Sequence, residues 1–331
     1  KYTKRAKESS QEDKEINIFS DSKINEDVVE EIKEISISKN SARNLVNMRA
    51  DECTPSYFIN LGKTFAEEYA LKYHIFYDEN LEKNNLNLIY NVGKGSGNRP
   101  GMITIEYYGD FNDGDSKEDK KILALIGKGV TFDAGGNNIK QTGFMETMFA
   151  DKGGACAVFE AFKTAVQMKL KKNIVVVIPL VENSCDGKAY RPSDILTSHK
   201  GLTVEITNTD AEGRLILADA MSWVQTNYKV DTLIELSTLT GAMVMGLGNL
   251  YAGLFCNNNE LANQLIGSGF NYQEDLWRMP LNDEMKASME GGVSDLVNSN
   301  GSRYGGAITA AGFLSYFIEK DVKWAHIDIA G

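Results

Sequence analysis

A mixed, largely parallel α/β sheet with helices on both faces is the fold this sequence predicts, and three observations predict it. Short, β-branched apolar runs at 122–126, 174–180, 203–206 and 232–236 read as strands buried on both faces. Between them, 155–168 and 215–224 carry apolar residues at helical spacing. Strand, helix and strand then alternate, which is the pattern of a sheet wrapped by crossover helices. A sheet of this kind absorbs 331 residues as one large domain. Sheets of this class place their sites at the carboxyl ends of the strands.

In chain order, residues 1–40 are charged and poor in apolar side chains, with a weakly amphipathic stretch at 24–37. They read as a linker or the remnant of a preceding domain, and 41–331 as the main domain. Helical spacing runs from Ser41 to Arg49, and Thr54 followed by Pro55 supplies an N-cap and a first-turn proline for a helix reaching about Leu71. The stretch NVGKGSGNRP at 91–100 has the wrong glycine spacing for a phosphate loop and reads as a turn.

Composition narrows the function. The 35 basic and 46 acidic residues leave a net charge of -11, which repels a phosphate backbone and offers nothing to an anionic membrane. No apolar run approaches the roughly 18 residues that span a bilayer, and the opening KYTKRAKESSQEDKE lacks the apolar core of a signal peptide. A cytoplasmic protein with neither nucleic acid nor membrane as partner is expected. Cys53, Cys156, Cys185 and Cys256 form no C-x-x-C pair. His74, His199 and His326 form no i, i+4 pair, so any metal must be held by other ligands.

The polar residues that carry chemistry begin where strands end. In ILALIGKGVTFDAGGNNIK at 122–140, Lys128, Asp133 and Lys140 follow an apolar strand, and neither phosphate-loop glycine pattern is satisfied. Asp151 opens DKGGACAVFEAF, where an acid alone reads as an N-cap. In NTDAEGRLILADAM a strand ends near Thr207 and a helix starts near Gly213, leaving Asp210 and Glu212 on the connection. An extended backbone there points both carboxylates to one side. Asp133, Asp151, Asp210 and Glu212 clustered at one edge would repel one another without a dication between them. Oxygen ligands leave Zn²⁺, Mn²⁺ and Mg²⁺ all open.

These segments resemble the M17 leucine aminopeptidase, or cytosol aminopeptidase, family. The likeness is carried by NTDAEGRL at 208–215, GKGVTFDAGGNNIK at 127–140, YRPSDILTSHKGLTVEI at 190–206, TLTGA at 238–242 and HIDIAG at 326–331, and it runs from about Ser41 onward. The resemblance implies a catalytic metallopeptidase domain at 41–331, without the family's N-terminal α/β domain. It implies two divalent ions held by Lys128, Asp133, Asp151, Asp210 and Glu212, with Zn²⁺ or Mn²⁺ expected and Mg²⁺ or Co²⁺ as alternatives at an exchangeable site. Lys128 would bind as a neutral amine, against the simpler reading of an ion pair with Asp133. Lys140 is expected to stabilise the oxyanion, and Arg214 to hold a bicarbonate that acts as general base.

The resemblance further implies peptides with a free N-terminus as substrates, whose amine and scissile carbonyl each meet one metal while a bridging water attacks. Met148, Asn208, Thr238, Leu239 and Ala310 match positions lining an apolar side-chain pocket, so a leucine-like first residue is expected, although Met148 also suits a core. A homohexamer is expected too. The chain departs from the family at Phe149, where a lysine is usual, at Lys152, where a methionine is usual, and at Gln141, where a proline is usual. A lysine beside a ligand bears on metal affinity, and Gln141 on the shape of the loop.

Overall fold

The computed structural model describes residues 25–110 and 120–331. Most of the charged opening, residues 1–24, lies outside the described residues. Helix α1 (Glu26–Asn47) begins 15 residues before Ser41, capped by the Asn25 side chain, and its later turns are tied to helix α5 (Gly153–Gln167). Ser41 Oγ donates to Glu160 at 2.8 Å, and Thr164 Oγ1 to Ser38 at 2.5 Å. The early turns expose Val28, Val29 and Ile32, which is why the pattern reads as only weakly amphipathic. Helix α2 (Pro55–Glu68) starts as Thr54 and Pro55 dictate, with Thr54 Oγ1 accepting from Tyr57 N at 3.2 Å.

Among the described residues, nine strands form the main sheet: β1 (Lys72–Tyr77), β2 (Gly101–Tyr108), β3 (Ile122–Gly127), β4 (Gly129–Asp133), β5 (Asn173–Asn183), β8 (Val230–Ser237), β9 (Ala252–Cys256), β10 (Leu276–Arg278) and β12 (Lys323–Asp328). Their order is β1-β2-β5-β3-β8-β12-β9-β10, with β4 also on β5. The centre is parallel: β3 runs with β5 and β8, and β12 runs with β8. The flanks mix direction, β2 lying antiparallel to β5 and β9 antiparallel to β12. Strand β5 is buried along its whole length, and its side chains alternate between two cores. Val175 and Val177 join the core under helices α4 (Asn87–Gly93), α6 (Gly213–Asn227) and α10 (Gly306–Ser315). Val176 and Ile178 join the one under α2 and α5. This two-sided burial is the physical reason the strand is apolar without alternation.

Two expectations are corrected. The run at 203–206 is a strand, but β7 (Thr203–Glu205) lies outside the main sheet, in a small sheet with β6 (Ile195–Thr197) and β11 (Leu296–Val297). Of its three residues only Val204 is fully buried, Thr203 and Glu205 being partly exposed, so apolar character alone did not reveal which sheet it joins. The segment at 91–100 is a turn only from Lys94 onward; Asn91 to Gly93 finish α4, whose first turn is held by the buried Asp219 carboxylate accepting from Leu88 N and Ile89 N.

At the centre of the sheet His326 Nδ1 lies 2.5 Å from Glu235 Oε2, both side chains being fully buried and neighbours in register. Burial pulls the imidazole's pKa down, but the Glu235 carboxylate outweighs it and the net direction is up. A base whose folded pKa is raised stabilises the fold fully below its unfolded value and loses that contribution as pH rises through the folded one. Urea denaturation of the protein is therefore expected to show stability from this pair falling as pH rises above roughly 6.5, and His326→Gln is expected to flatten that part of the profile.

Candidate active site

Lys128 sits at a break in a strand. Ile126 faces Val177 and Gly129 faces Leu180 on β5, so β3 and β4 keep one register across it. Lys128 N donates to Leu236 O at 3.0 Å, and its carbonyl accepts from Ala155 N at 2.9 Å. Its side chain is 3% exposed, too enclosed for an ordinary surface ion pair. The ammonium meets Thr238 O at 2.9 Å, Asp151 Oδ2 at 2.9 Å and Glu212 Oε1 at 3.0 Å. The reading of Lys128 as an ion pair thus finds partners, but they are Asp151 and Glu212 rather than Asp133.

Asp133 ends β4, and Asn183 at the end of β5 donates to Asp133 Oδ1 at 2.8 Å and to Thr209 O at 3.0 Å. One amide thereby joins two acid-bearing loops. Asp151 follows a 3-10 turn (Met148–Ala150), and Thr238 Oγ1 donates to its Oδ1 at 2.7 Å. Asp210 lies in a turn and Glu212 at the N-cap of α6 with φ -76° and ψ -37°. The expected extended geometry is therefore corrected: a turn leading into a helix, not strand alternation, brings these two carboxylates to one side. Lys140 Nζ closes the group, 2.8 Å from Asp133 Oδ2 and 2.5 Å from Asp210 Oδ1.

Four carboxylates against two ammoniums leave a formal charge of -2 (-4 plus +2) in a nearly enclosed place. Burial, with Asp133 adding to it, pushes Glu212 up to about 8, and burial raises Asp151 to about 6 despite Lys128. Burial, reinforced by Asp133, also raises Asp210. For Lys128 burial pulls the other way, and Asp151, Glu212 and Asp133 override it, holding the ammonium charged. Lys140 is likewise raised, Asp133 and Glu212 overriding its burial. These directions mark a cluster with more negative charge than its own cations offset. The donor set fits divalent ions: Asp133, Asp210 and Glu212 offer oxygens all within 4.8 Å of one another, and the buried Glu212 Oε2 has no hydrogen-bond partner among the described residues.

Beside the cluster is a cavity of about 620 Å³, lined by Lys128, Asp133, Lys140, Asp210 and Glu212 and by apolar groups including Met148, Leu239 and Val244. Thr238 and Gln141 also line it. Asn208 and Ala310 are not on this wall. The Asn208 side chain accepts from Asp210 N at 2.9 Å and so shapes the ligand turn, while Ala310 is fully buried within α10. Arg214 is not on this wall either; it donates from Nη1 to Asn298 O at 2.8 Å, and its buried Nε has no hydrogen-bond partner among the described residues. Burial lowers its pKa to about 10, against Glu212 and Asp328. Lys152 does not reach the cluster; its ammonium turns toward backbone carbonyls of α1.

Three residues that frame the site escaped the sequence reading. Asn298, fully buried, accepts on Oδ1 from Thr207 N and Asn208 N and donates from Nδ2 to Asn208 O and Ala211 O. Asp328, at the end of β12, accepts from Leu239 N and from Thr240 Oγ1, fixing the loop that carries Thr238. Asn183 is the third. The signal available for Asn183 and Asp328 was a polar residue ending an apolar strand; Asn298 sits in NSNGSR, which reads as any turn.

The fold and the cluster define a class, an α/β protein with a carboxylate cluster suited to divalent cations at the carboxyl edge of its sheet. Within that class, residues 40–331 match the model of the cytosol aminopeptidase family, catalytic domain, and the chain belongs to that family. It is 40% identical to a probable cytosol aminopeptidase of Protochlamydia amoebophila, over 99% of this chain and 66% of the relative. It is 41% identical to one of Persephonella marina, over 90% and 59% respectively. The chain thus spans less than two thirds of these relatives' lengths. Among solved structures, the bottromycin maturation enzyme BotP in complex with Mn superposes with TM-score 0.86 at 32% identity, covering 93% of this chain and 66% of BotP. The cytosol aminopeptidase from Coxiella burnetii gives TM-score 0.83 at 36% identity, covering 90% and 63%.

Gly213 offers a local test of the Lys128 geometry, because a Cβ there would fall 2.5 Å from Lys128 Cε and 2.7 Å from its Nζ. Gly213→Ala is expected to push Lys128 from its carboxylates and weaken Mn²⁺ binding at least tenfold with the fold retained, read by calorimetric titration beside circular dichroism. Asn298→Ala is expected to cost about 3 kcal/mol in urea denaturation, because it leaves several buried backbone groups unpaired.

Proposed function

We propose that this chain carries the catalytic domain of a metal-dependent aminopeptidase that releases leucine-like residues from the free N-terminus of peptides. The observation that carries the reading is the convergence of Lys128, Asp133, Asp151, Asp210 and Glu212 beside a cavity with apolar walls. The four carboxylates, with Lys128 once it gives up its proton and binds as a neutral amine, would hold two divalent ions, Zn²⁺ or Mn²⁺, with Mg²⁺ or Co²⁺ as alternatives at an exchangeable position. Bound there, the ions would supply Lewis-acid polarisation of the scissile carbonyl and a water made acidic enough to attack near neutral pH.

The chain's own groups do the rest. The substrate's free, neutral α-amine would be a ligand to an ion held by these carboxylates, and that requirement would restrict cleavage to the end of the peptide. Met148, Thr238 and Leu239 border the space for the first side chain, and their apolar surface favours a leucine-like group. Asn208 serves the same pocket indirectly by holding the Asp210 turn, and Ala310 through its full burial within α10. Lys140, on the cavity wall with a positive charge, is placed to stabilise the oxyanion that forms as water adds to the carbonyl. Arg214 is assigned to bicarbonate, the general base, a role its unpartnered Nε supports. We propose further that the protein is cytoplasmic, in keeping with the names of its relatives, and forms a homohexamer; Met245, Leu250 and Trp277 are exposed apolar side chains suited to assembly. No described helix is long and apolar enough to cross a membrane.

Hydrolysis of leucine p-nitroanilide tests the reading. Activity is expected to vanish with chelator and return with Mn²⁺ or Zn²⁺; no metal-dependent cleavage under any of these conditions would sink it. Asp210→Asn and Glu212→Gln are each expected to abolish turnover. Lys140→Ala is expected to lower kcat about 10²–10³-fold with a smaller change in KM.

A further inference from the structure

Lys152 is fully buried, yet it forms no ion pair among the described residues. Its ammonium donates to Met48 O at 2.8 Å, to Val46 O at 3.2 Å and to Phe149 O. An ammonium has three N–H donors, so three carbonyls satisfy it completely. Such a buried cation, held by backbone carbonyls and by the face of the Phe149 ring 5.7 Å away, with no carboxylate partner among the described residues, costs desolvation that a surface lysine avoids, so its placement calls for a reason.

The helix termini supply one. Lys152 occupies the N-cap position of α5, where a cation opposes the helix dipole. The side chain leaves that end and runs to the carboxyl end of α1, where Val46 belongs to the last turn and Met48 is the C-cap. A cation is favourable there, and the last turn of α1 has no basic residue of its own. The third carbonyl, Phe149 O, belongs to the 3-10 turn that leads into Asp151. Arg49 covers the Phe149 ring, its guanidinium carbon 4.1 Å from the ring centre, and so packs the same turn from the α1 side. One ammonium therefore binds together the end of α1, the turn bearing Met148 and the start of α5. Asp151 sits in the middle of that junction, its carboxylate aimed at Lys128 and Thr238.

We infer that Lys152 is a positioning residue for the metal ion that Asp151 holds, acting by locking the 148–152 turn to the end of α1. The inference rests on the proposed ligand role of Asp151. Removing the ammonium leaves three carbonyls without a donor and frees the turn, so the carboxylate next to it loses its fixed aim. Residues that orient metal ligands change metal affinity by about 10–100-fold when substituted.

The experiment titrates chelator-treated protein with Mn²⁺ by calorimetry, comparing wild type, Asp151→Asn and Lys152→Met, with circular dichroism and thermal midpoints as checks on folding. Asp151→Asn is expected to lose one of two ions. Lys152→Met is expected to bind that same ion about 10–100-fold more weakly and the other ion as wild type does. If Asp151→Asn loses an ion while Lys152→Met binds both normally, even with a lowered thermal midpoint, Lys152 is a structural group only and the inference falls while the ligand assignment stands. If Asp151→Asn binds both ions as wild type does, the ligand assignment fails and takes the inference with it. Should Lys152→Met not fold, hydrogen exchange on the wild type decides: Mn²⁺ is expected to slow exchange in 46–53 together with 148–156, and slowing confined to 148–156 overturns the coupling.

Discussion

The structure depends on a crowd of like charges. Asp133, Asp151, Asp210 and Glu212 converge on one small volume with only Lys128 and Lys140 between them. At an effective dielectric of 20, two carboxylates about 4 Å apart repel by roughly 4 kcal/mol, which exceeds what any single hydrogen bond returns. Such a cluster persists only where a rigid frame forbids its members from turning away. The remainder of the fold can be understood as that frame.

Its parts come from far apart in the sequence. The central parallel strands deliver their carboxyl ends to one edge: Lys128 after β3, Asp133 at the end of β4, Thr238 after β8. Burial of β5 on both faces fixes their register, because slipping by one residue would exchange the contents of two cores. Uncharged amides then tie the loops together. Asn183 bridges the Asp133 and Thr209 segments, and Asn298 clasps 207–211 from about ninety residues downstream. Neutral donors suit this task, since each orients a carboxylate or a carbonyl without adding to the local charge.

The central strands, the helices α2, α5 and α6, and the acids of the site were legible because each rests on a local pattern. Two-sided burial leaves unbroken apolar runs, Thr54 and Pro55 announce a helix start, and acids following strand ends announce a site. Less local features were not legible. The sheet to which 203–205 belongs depends on pairing with 296–297, which no local pattern encodes. The turn at Asp210 and the helical backbone at Glu212 depend on Asn208 and Asn298 contacts that exist only in the folded chain. Lys152 could be seen as unusual beside Asp151, but not that it points the other way, because the direction is chosen by the end of α1, about a hundred residues earlier.

The clasp by Asn298 and the anchor from Asp328 also set the order in which the molecule becomes competent. A chain folds its local helices early and closes long-range pairings late, and a chain made on the ribosome presents its amino-terminal parts first. Strand β12 pairs with β8 and β9 only after everything between them exists. The loop carrying Thr238 gains its Asp328 anchor at that moment, and Thr238 then steadies both Lys128 and Asp151. The centre is thus a late-maturing part of the molecule, and an incompletely folded chain holds the acids without the geometry that unites them.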